Sequence, residues 1–479
     1  MRSCWLAAIL AVTAPAQSIQ DRALNTPAYS WLQELTDSIG PRLTGSPGAA
    51  RAANWAITRM KEIGLENVHL EPWNLRGGWE RGRAEAELTA PAHLTLNIAA
   101  YGWTGSTPDA GIDAPVVEVQ RGAIADALPN APAWTGKILF VSSRGPKPAD
   151  NLAVYAQFTA LVAAAERAHA AAVILRDLRP GSLLTHTGPV SFSAGDVAYH
   201  IPVLDIADEH QKLIERLLEK SLPVRLRLNV RNRFLPGPVE SANVSAEIRG
   251  SEHPEQVVLL AAHLDSWDLG SGAIDDGTGV AAVLGAAEAI KLSGRKPRRT
   301  IRFVMFTGEE QGLLGSRAWV KRHAAEIPNL VCALVLDWGQ GPIAALPVAG
   351  HDELKSELAP LVDLLNGIQK FRLADGFLTF TDAYTFTLAG VPGLAFYQDS
   401  RDYTLVGHSA ADTYDKVDAK VLARNTATLA VAGFWIADSP GRVGAVWPSA
   451  EIPRHLTELK QRTMLEIFGL WPVSSTRPR

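Results

Sequence analysis

The stretch QVVLLAAHLDSWDLGSGAIDDGTGVAAVLGAAEAIKL, residues 256–292, decides the fold. Gln256 to Ala262 is apolar almost throughout and has the length of a strand, the pattern of a sheet covered on both faces. Gly279 to Leu292 continues as a helix rich in small residues. Between them lies a loop carrying His263, Asp265 and Asp275. Strand, polar loop and helix in this order form the unit of an α/β sheet, whose ligands bind where strands end. The pattern recurs outward from this stretch. Strands are expected at Ala242 to Ile248, Thr300 to Thr307, Val331 to Asp337, Pro342 to Val348 and Gly393 to Tyr397. Helices are expected at Gly312 to Arg322, Glu353 to Gly367, Ala383 to Ala389 and Ala419 to Asp438. The predicted class is α/β, a mixed and mostly parallel sheet flanked by helices.

Upstream, Gly40-Pro41-Arg42-Leu43-Thr44-Gly45-Ser46-Pro47-Gly48 breaks the chain before an amphipathic helix from Ala49 to Ile63 that Gly64 caps. Strands are expected at Val68 to Leu70 and over Ala84 to Ile98, the second split by a turn at Pro91-Ala92. Alternating strands and helices over 113–235 read as a smaller sheet domain of their own. The expected organisation is therefore 17–112 and 236–439 as two parts of one main domain, 113–235 as an insertion, and 440–479 as a polar, Pro-bearing extension with a helix near 450–468. No internal repeat is present.

A formal net charge of -4 over 479 residues, with Arg and Lys scattered, argues against nucleic-acid and anionic-membrane partners. The tightest basic cluster, Arg295-Lys296-Pro297-Arg298-Arg299, reads as a solvated turn. Arg2, the short apolar run Cys4 to Thr13, and Ala14-Pro15-Ala16 read as a cleavable signal peptide over 1–16, leaving Gln17 first. The expected location is secreted or periplasmic, with no membrane anchor after cleavage. Of the 2 cysteines, Cys4 leaves with the signal and Cys332 remains in an apolar segment as an inert thiol, so no disulfide framework exists.

Chemistry-bearing residues gather at strand ends. A neutral imidazole at His263 and a carboxylate at Asp275 are suitable zinc ligands. Asp265 is placed to accept the other ring proton of His263 and fix its tautomer. Glu309 and Glu310 follow another apolar strand, and of two adjacent acids one can bind metal while the other moves protons. Asp337 ends a third strand, and His408 precedes Asp412 in a loop before the last long helix. Each alone reads equally well as a helix cap or a solvated side chain. His263, Asp275, Glu310, Asp337 and His408, in order at one sheet edge, point together to a metal centre.

These strings resemble the co-catalytic binuclear zinc exopeptidases of the aminopeptidase Y and bacterial leucyl aminopeptidase type. His263-Leu264-Asp265-Ser266-Trp267-Asp268 with Gly272-Ala273-Ile274-Asp275-Asp276-Gly277, and His408-Ser409 with Asp412-Thr413, are nearest in wording to the carboxypeptidase Q (plasma glutamate carboxypeptidase) subgroup. The resemblance is most specific over 237–439. It extends to 17–110 as the family's N-terminal helices and first strands, and to 113–235 as its protease-associated domain. It implies the zinc exopeptidase fold and two zinc ions per chain. His263 and Asp337 would hold one zinc, Glu310 and His408 the other, and Asp275 would bridge them. Glu309 matches the general base, and Asp265 the acid that orients the first histidine. It also implies a cis peptide between Asp275 and Asp276.

The implied activity is hydrolysis of short peptides with a free N-terminus through a two-metal-activated water. The labels aminopeptidase, dipeptidase and carboxypeptidase stay open. Asp382, Tyr384 and Tyr403 fall where the family builds the substrate pocket wall. Asp382 either receives a free amine or caps the helix beginning at Ala383, and capping ranks first. Phe377, Phe380, Tyr384 and Phe386 line an apolar subsite or pack in the core, and packing ranks first for most of them. A glutaminyl cyclase-like enzyme with one zinc and a non-catalytic peptidase-like ectodomain share the fold; the filled ligand set and Glu309 argue against both. Homodimers occur in the family, and no sequence feature decides the point here.

Overall fold

The computed structural model describes residues 17–145, 151–176, 179–185, 187–188 and 198–471. The signal peptide expected over 1–16 lies outside the described residues. The chain divides into two compact units, one comprising residues up to 74 with 240–407 and 412–479, the other 75–239 with 408–411.

The first unit is built on six strands, β1 (Glu66–Leu75), β2 (Val239–Ile248), β3 (His253–His263), β4 (Arg299–Phe306), β5 (Leu330–Val335) and β6 (Gly393–Ala395), in the order β1-β2-β4-β3-β5-β6. β4, β3, β5 and β6 run parallel, and β2 is antiparallel to β4. This is the mixed, mostly parallel α/β sheet expected from the sequence. The two-residue period of β3 explains its apolar run. Val257, Leu259 and Ala261 join one core cluster with Trp319 and Phe386, while Val258, Leu260 and Ala262 join another on the opposite face. Burying one such Val or Leu side chain contributes about 1.5–3 kcal/mol, so neither face of β3 tolerates a polar residue cheaply.

Three helices cover that second face, α1 (Pro47–Ile63), α2 (Thr278–Leu292) and α3 (Ala419–Asp438). Ser46 caps α1 by accepting from the Ala49 amide at 3.2 Å, and Gly64 closes it in the left-handed conformation. Asp418 caps α3 by accepting from the amides of Lys420 and Val421. The small residues of α2 let α3 approach: a Cβ at Gly285 would stand 2.7 Å from Thr426 Cγ2. β3 leads to β4 on one side, and the chain then crosses to β5 on the other. The carboxyl ends of β3, β4 and β5 thus flank a topological switch point, where open α/β sheets bind ligands.

The second unit carries an eight-stranded sheet in the order Leu94–Leu96, Ala84–Ala90, Arg225–Val230, Ile112–Gln120, Ile138–Ser142, Ala172–Arg176, Val203–Ile206, Ile98–Ala100. Leu94–Leu96 and Ile98–Ala100 are one stretch of chain, so Asn97 joins the two ends of the sheet. Helices Asn151–Arg167 and Asp208–Glu219 accompany it, and its core around Leu139, Val173 and Val203 is a cluster of its own. The expected boundary at 112/113 is corrected here: Ala84–Ala90 pairs with Arg225–Val230, so the unit begins at Leu75. Alternation identified these residues as strands but carried no information on their partner.

Three other expectations change. Ile343–Pro347 lies in a separate three-stranded sheet with Arg372–Ala374 and Tyr397–Gln398. The helix expected over 353–367 divides into Leu354–Glu357 and Ala359–Asn366, where Pro360 supplies no amide hydrogen and suits a helix start. The C-terminal helix divides into Ile452–Glu458 and Arg462–Ile467, with Lys460 in the left-handed region. Among the described residues no helix is long and apolar enough to cross a membrane.

Candidate metal centre

Strand register brings the acids to one level. His263 ends β3 opposite Phe306 of β4, so Glu309 and Glu310 lie in the turn just beyond it. Ala261 pairs with Val335 of β5, so Asp337 comes level with His263. His263 Nε2 stands 3.0 Å from Asp275 Oδ1 and 3.6 Å from Asp337 Oδ1. Ligand atoms of His263, Asp275 and Glu310 lie within 4.8 Å of one another, and so do those of His263, Asp276 and Asp337. All these residues are buried.

The loop after β3 fixes each donor. His263 Nδ1 donates to the main-chain carbonyl of Asp265 at 3.0 Å, which turns Nε2 toward the acids. The contact that orients the ring thus comes from the Asp265 backbone, with its carboxylate Oδ1 at 3.6 Å. That carboxylate instead accepts from Thr44 Oγ1 at 2.8 Å and from the Glu309 amide at 3.3 Å. Asp276 accepts from the main-chain amides of His263 and Gly279, committing both its oxygens to the backbone at the start of α2. A Cβ at Gly279 would lie 2.3 Å from Asp276 Oδ1, so only glycine permits this cap. Asp275 therefore remains the acid of this pair turned to the cluster, and the Asp275–Asp276 peptide is cis. Asp412 accepts from the amides of Ile274 and Asp275 at 2.6 and 3.2 Å, holding the loop from the other side.

Sequence reading missed Arg42, Thr44 and the positioning role of Asp412. Arg42 is wholly buried. Its guanidinium donates to the carbonyls of Leu264, Ser271 and Gly272 at 2.7, 2.6 and 2.8 Å, binding the loop that carries His263 and Asp275. Burial lowers its pKa to about 10 against the pull of Asp412, Asp265, Asp276 and Asp275. A charged residue inside the Gly- and Pro-rich turn at 40–48 was the available signal, read only as a chain break.

Glu309 and Glu310 sit on a braced turn. Gly308 has φ +76°, and a Cβ there would meet the Trp73 ring at 2.6 Å. Trp73 Nε1 donates to Thr307 Oγ1, and the Thr307 amide donates to Asn243 Oδ1. Burial and the charge of Asp337 hold Glu309 well above the usual carboxylate range, against the pull of His263 and with Asp382 and Glu310 adding to the rise. Burial likewise holds Asp276 well above its usual value. Such an excess of buried negative charge is costly unless cations compensate it. An imidazole nitrogen amid carboxylate oxygens is the donor set zinc takes, so the residues present fit that metal.

The three pocket-wall candidates differ. Tyr403 Oη donates to Asp275 Oδ2 at 2.9 Å, and its ring stacks on Trp338. Asp382 is the first residue of the helix Asp382–Leu388, and no side-chain cap forms there, so capping is not its role. Burial raises its pKa to about 8, offset in part by Ser316 and His263. Tyr384 is buried, stacked on Phe377, and donates through Oη to Gln461 at 3.2 Å. His408, in the left-handed region, falls in the segment 408–411 of the second unit and is not among the convergent donors.

Comparison with known proteins bears on this geometry. Residues 243–432 match the profile described as peptidase family M28. The chain is 33% identical over 415 residues to carboxypeptidase Q of Bos taurus, covering 86% of this chain and 85% of that protein. It is 28% identical over 299 residues to aminopeptidase YwaD of Bacillus subtilis, covering 62% of this chain and 58% of that one. Among solved structures, the peptidase M28 precursor of Shewanella amazonensis superposes with a TM-score of 0.80 at 29% identity, over 92% of this chain and 100% of that one.

Proposed function

The chain belongs to peptidase family M28 and is a zinc-dependent exopeptidase, and we propose that it acts on short peptides with a free N-terminus. The observation that carries this reading is the convergence of His263, Asp275, Asp337 and Glu310 at the carboxyl ends of β3, β4 and β5, with Glu309 beside them. On the family resemblance, His263 and Asp337 would hold one zinc ion and Glu310 and His408 another, with Asp275 shared between them. Bound zinc supplies Lewis acidity and lowers the pKa of water toward neutrality.

The chain's own residues do the rest. Glu309, unbound to metal, accepts the proton of the attacking water on its carboxylate and returns it to the leaving amine. Asp265 keeps the Nε2 face of His263 open and holds the Glu309 amide. Tyr403 orients Asp275. Asp382, buried and close enough to feel His263 and Asp337, is the acid we assign to the substrate's free amine. We read the unit at 75–239 as the protease-associated insertion, supported by its own mixed sheet and core. Export through the segment 1–16 completes the reading; N-terminal sequencing of the mature protein should find Gln17 first.

The test is hydrolysis by the zinc-loaded protein of dipeptides, longer peptides, N-acylated peptides and an N-terminal glutaminyl peptide. Cleavage confined to short, unblocked substrates is expected. Glu309→Gln should lose about 10²–10⁴-fold in kcat while retaining zinc. Wild-type turnover in that variant would remove Glu309 as the base, and cleavage of N-acylated peptides would remove the free-amine requirement.

A further inference from the structure

The segment after α3 has no part in the chemistry above, yet it packs where the chemistry is. Its contacts fall on the two ends of the helix Asp382–Leu388. At the entry, Phe468 meets Phe380 edge-on at 6.2 Å between centroids. At the exit, the Trp447 amide donates to the Gly390 carbonyl at 2.8 Å, and a Cβ at Gly390 would come within 3.0 Å of Ile452 Cδ1. Between them, Tyr384 Oη donates to Gln461 Oε1. Gln461 Nε2 donates to the Leu459 carbonyl at 3.1 Å, which turns its oxygen toward Tyr384. The segment is itself anchored where Trp447 is sandwiched between His351 and His455, at centroid distances of 4.2 and 4.3 Å.

A helix of 7 residues cannot hold its own place. Its position is set by what packs on it. Phe386 lies against Phe306 and Trp319 on the sheet side, and the C-terminal segment braces the Tyr384 side. The element so held carries Asp382 beside the acids of the centre.

We propose that residues 447–468 are a positioning element of the active site, and that the Tyr384–Gln461 hydrogen bond is the joint through which they set the helix carrying Asp382. The inference rests on the exopeptidase reading and assigns a role to chain that reading leaves unused. Gln461 acts through Tyr384 and the helix, so its loss changes where a bound substrate's amine is received and leaves proton transfer at Glu309 in place.

The experiment compares full-length, zinc-loaded wild type with Gln461→Leu, Gln461→Glu, Tyr384→Phe and the double variant Tyr384→Phe/Gln461→Leu on an unblocked dipeptide. Gln461→Leu should raise KM about fivefold, the scale of one neutral hydrogen bond, with kcat, zinc content and melting temperature close to wild type. Gln461→Glu, which keeps the acceptor for Tyr384 but loses the donor to the Leu459 carbonyl, should give a KM between wild type and Gln461→Leu. The double variant should be no worse than either single, because one interaction is removed twice. Hydrogen exchange gives a second readout that needs no turnover: amides 383–390 should exchange faster in Gln461→Leu, with the sheet amides unchanged. Wild-type KM in Gln461→Leu, additive effects in the double variant, or unchanged exchange at 383–390 would each overturn the proposal. Absence of peptide hydrolysis by the wild type would instead remove the exopeptidase reading, and the exchange result would still decide the brace.

Discussion

Burial holds the acids of the centre above their usual values. Burial pushes Asp382 up to about 8 and Asp412 up to about 7 in the fold, whereas an unfolded Asp titrates near ~3.9. Between those values the folded chain binds more protons than the unfolded one, so stability of the metal-free protein falls as pH rises and levels off above both folded values. Thermal melting in chelator should therefore drop from pH 5 to pH 8, Asp382→Asn should flatten the decline, and zinc should restore more stability at pH 8 than at pH 5. A flat profile for chelated wild type would show that these acids are not held as described. Arg42 is the counterpart. Lysine keeps the charge but cannot present planar donors to the carbonyls of Leu264, Ser271 and Gly272 together. Arg42→Lys should cost about 3 kcal/mol in urea unfolding and weaken zinc retention; an unshifted midpoint would deny Arg42 its role in holding the loop.

Among the elements, strands deliver the candidate ligands and side-chain pairs lock the strands to helices. Glu71 of β1, nearly buried, is paired with His323, just past the helix Leu314–Arg322, at 2.9 Å, and His323 also meets Glu326 at 2.7 Å. Burial opposes both charges. Even so, His323 holds Glu71 below the carboxylate range, and Glu71 with Glu326 holds His323 above its usual value. The stabilisation is full from the ordinary pKa of Glu to that of His, roughly pH 4.3 to 6.5. It is lost as pH rises through the raised value of His323 and as it falls through the lowered value of Glu71. His323→Gln should cost about 2 kcal/mol within that window and less on either side. A cost that does not vary with pH would assign the effect to the lost stacking on Trp319.

For the molecule as a whole, the two units have separate cores, one gathered on the six-stranded sheet and the other around Leu139, Val173 and Val203. Separate cores predict separate cooperative transitions. The convergent donors His263, Asp275, Glu310 and Asp337 all belong to the first unit, so chelation should lower that unit's calorimetric transition by mass action. A single transition that shifts as one would show that the units unfold together.

The sequence by itself determined the α/β class, the strands and helices of the main sheet, and the acids and imidazole that end its strands. Those features are local: a buried parallel strand must be apolar throughout, and a polar residue at its end stands out against it. Tertiary structure alone decided four things. It committed Asp276 to the backbone, where both its oxygens accept from the amides of His263 and Gly279. It oriented the ring of His263 through a carbonyl, which carries no mark in the sequence. It brought Arg42 more than two hundred positions along the chain to the loop it holds. It moved the strand at 84–90 into the second unit through its pairing with 225–230. All four depend on backbone groups, which every residue shares and no residue type announces, so only the folded chain shows which side chain they meet.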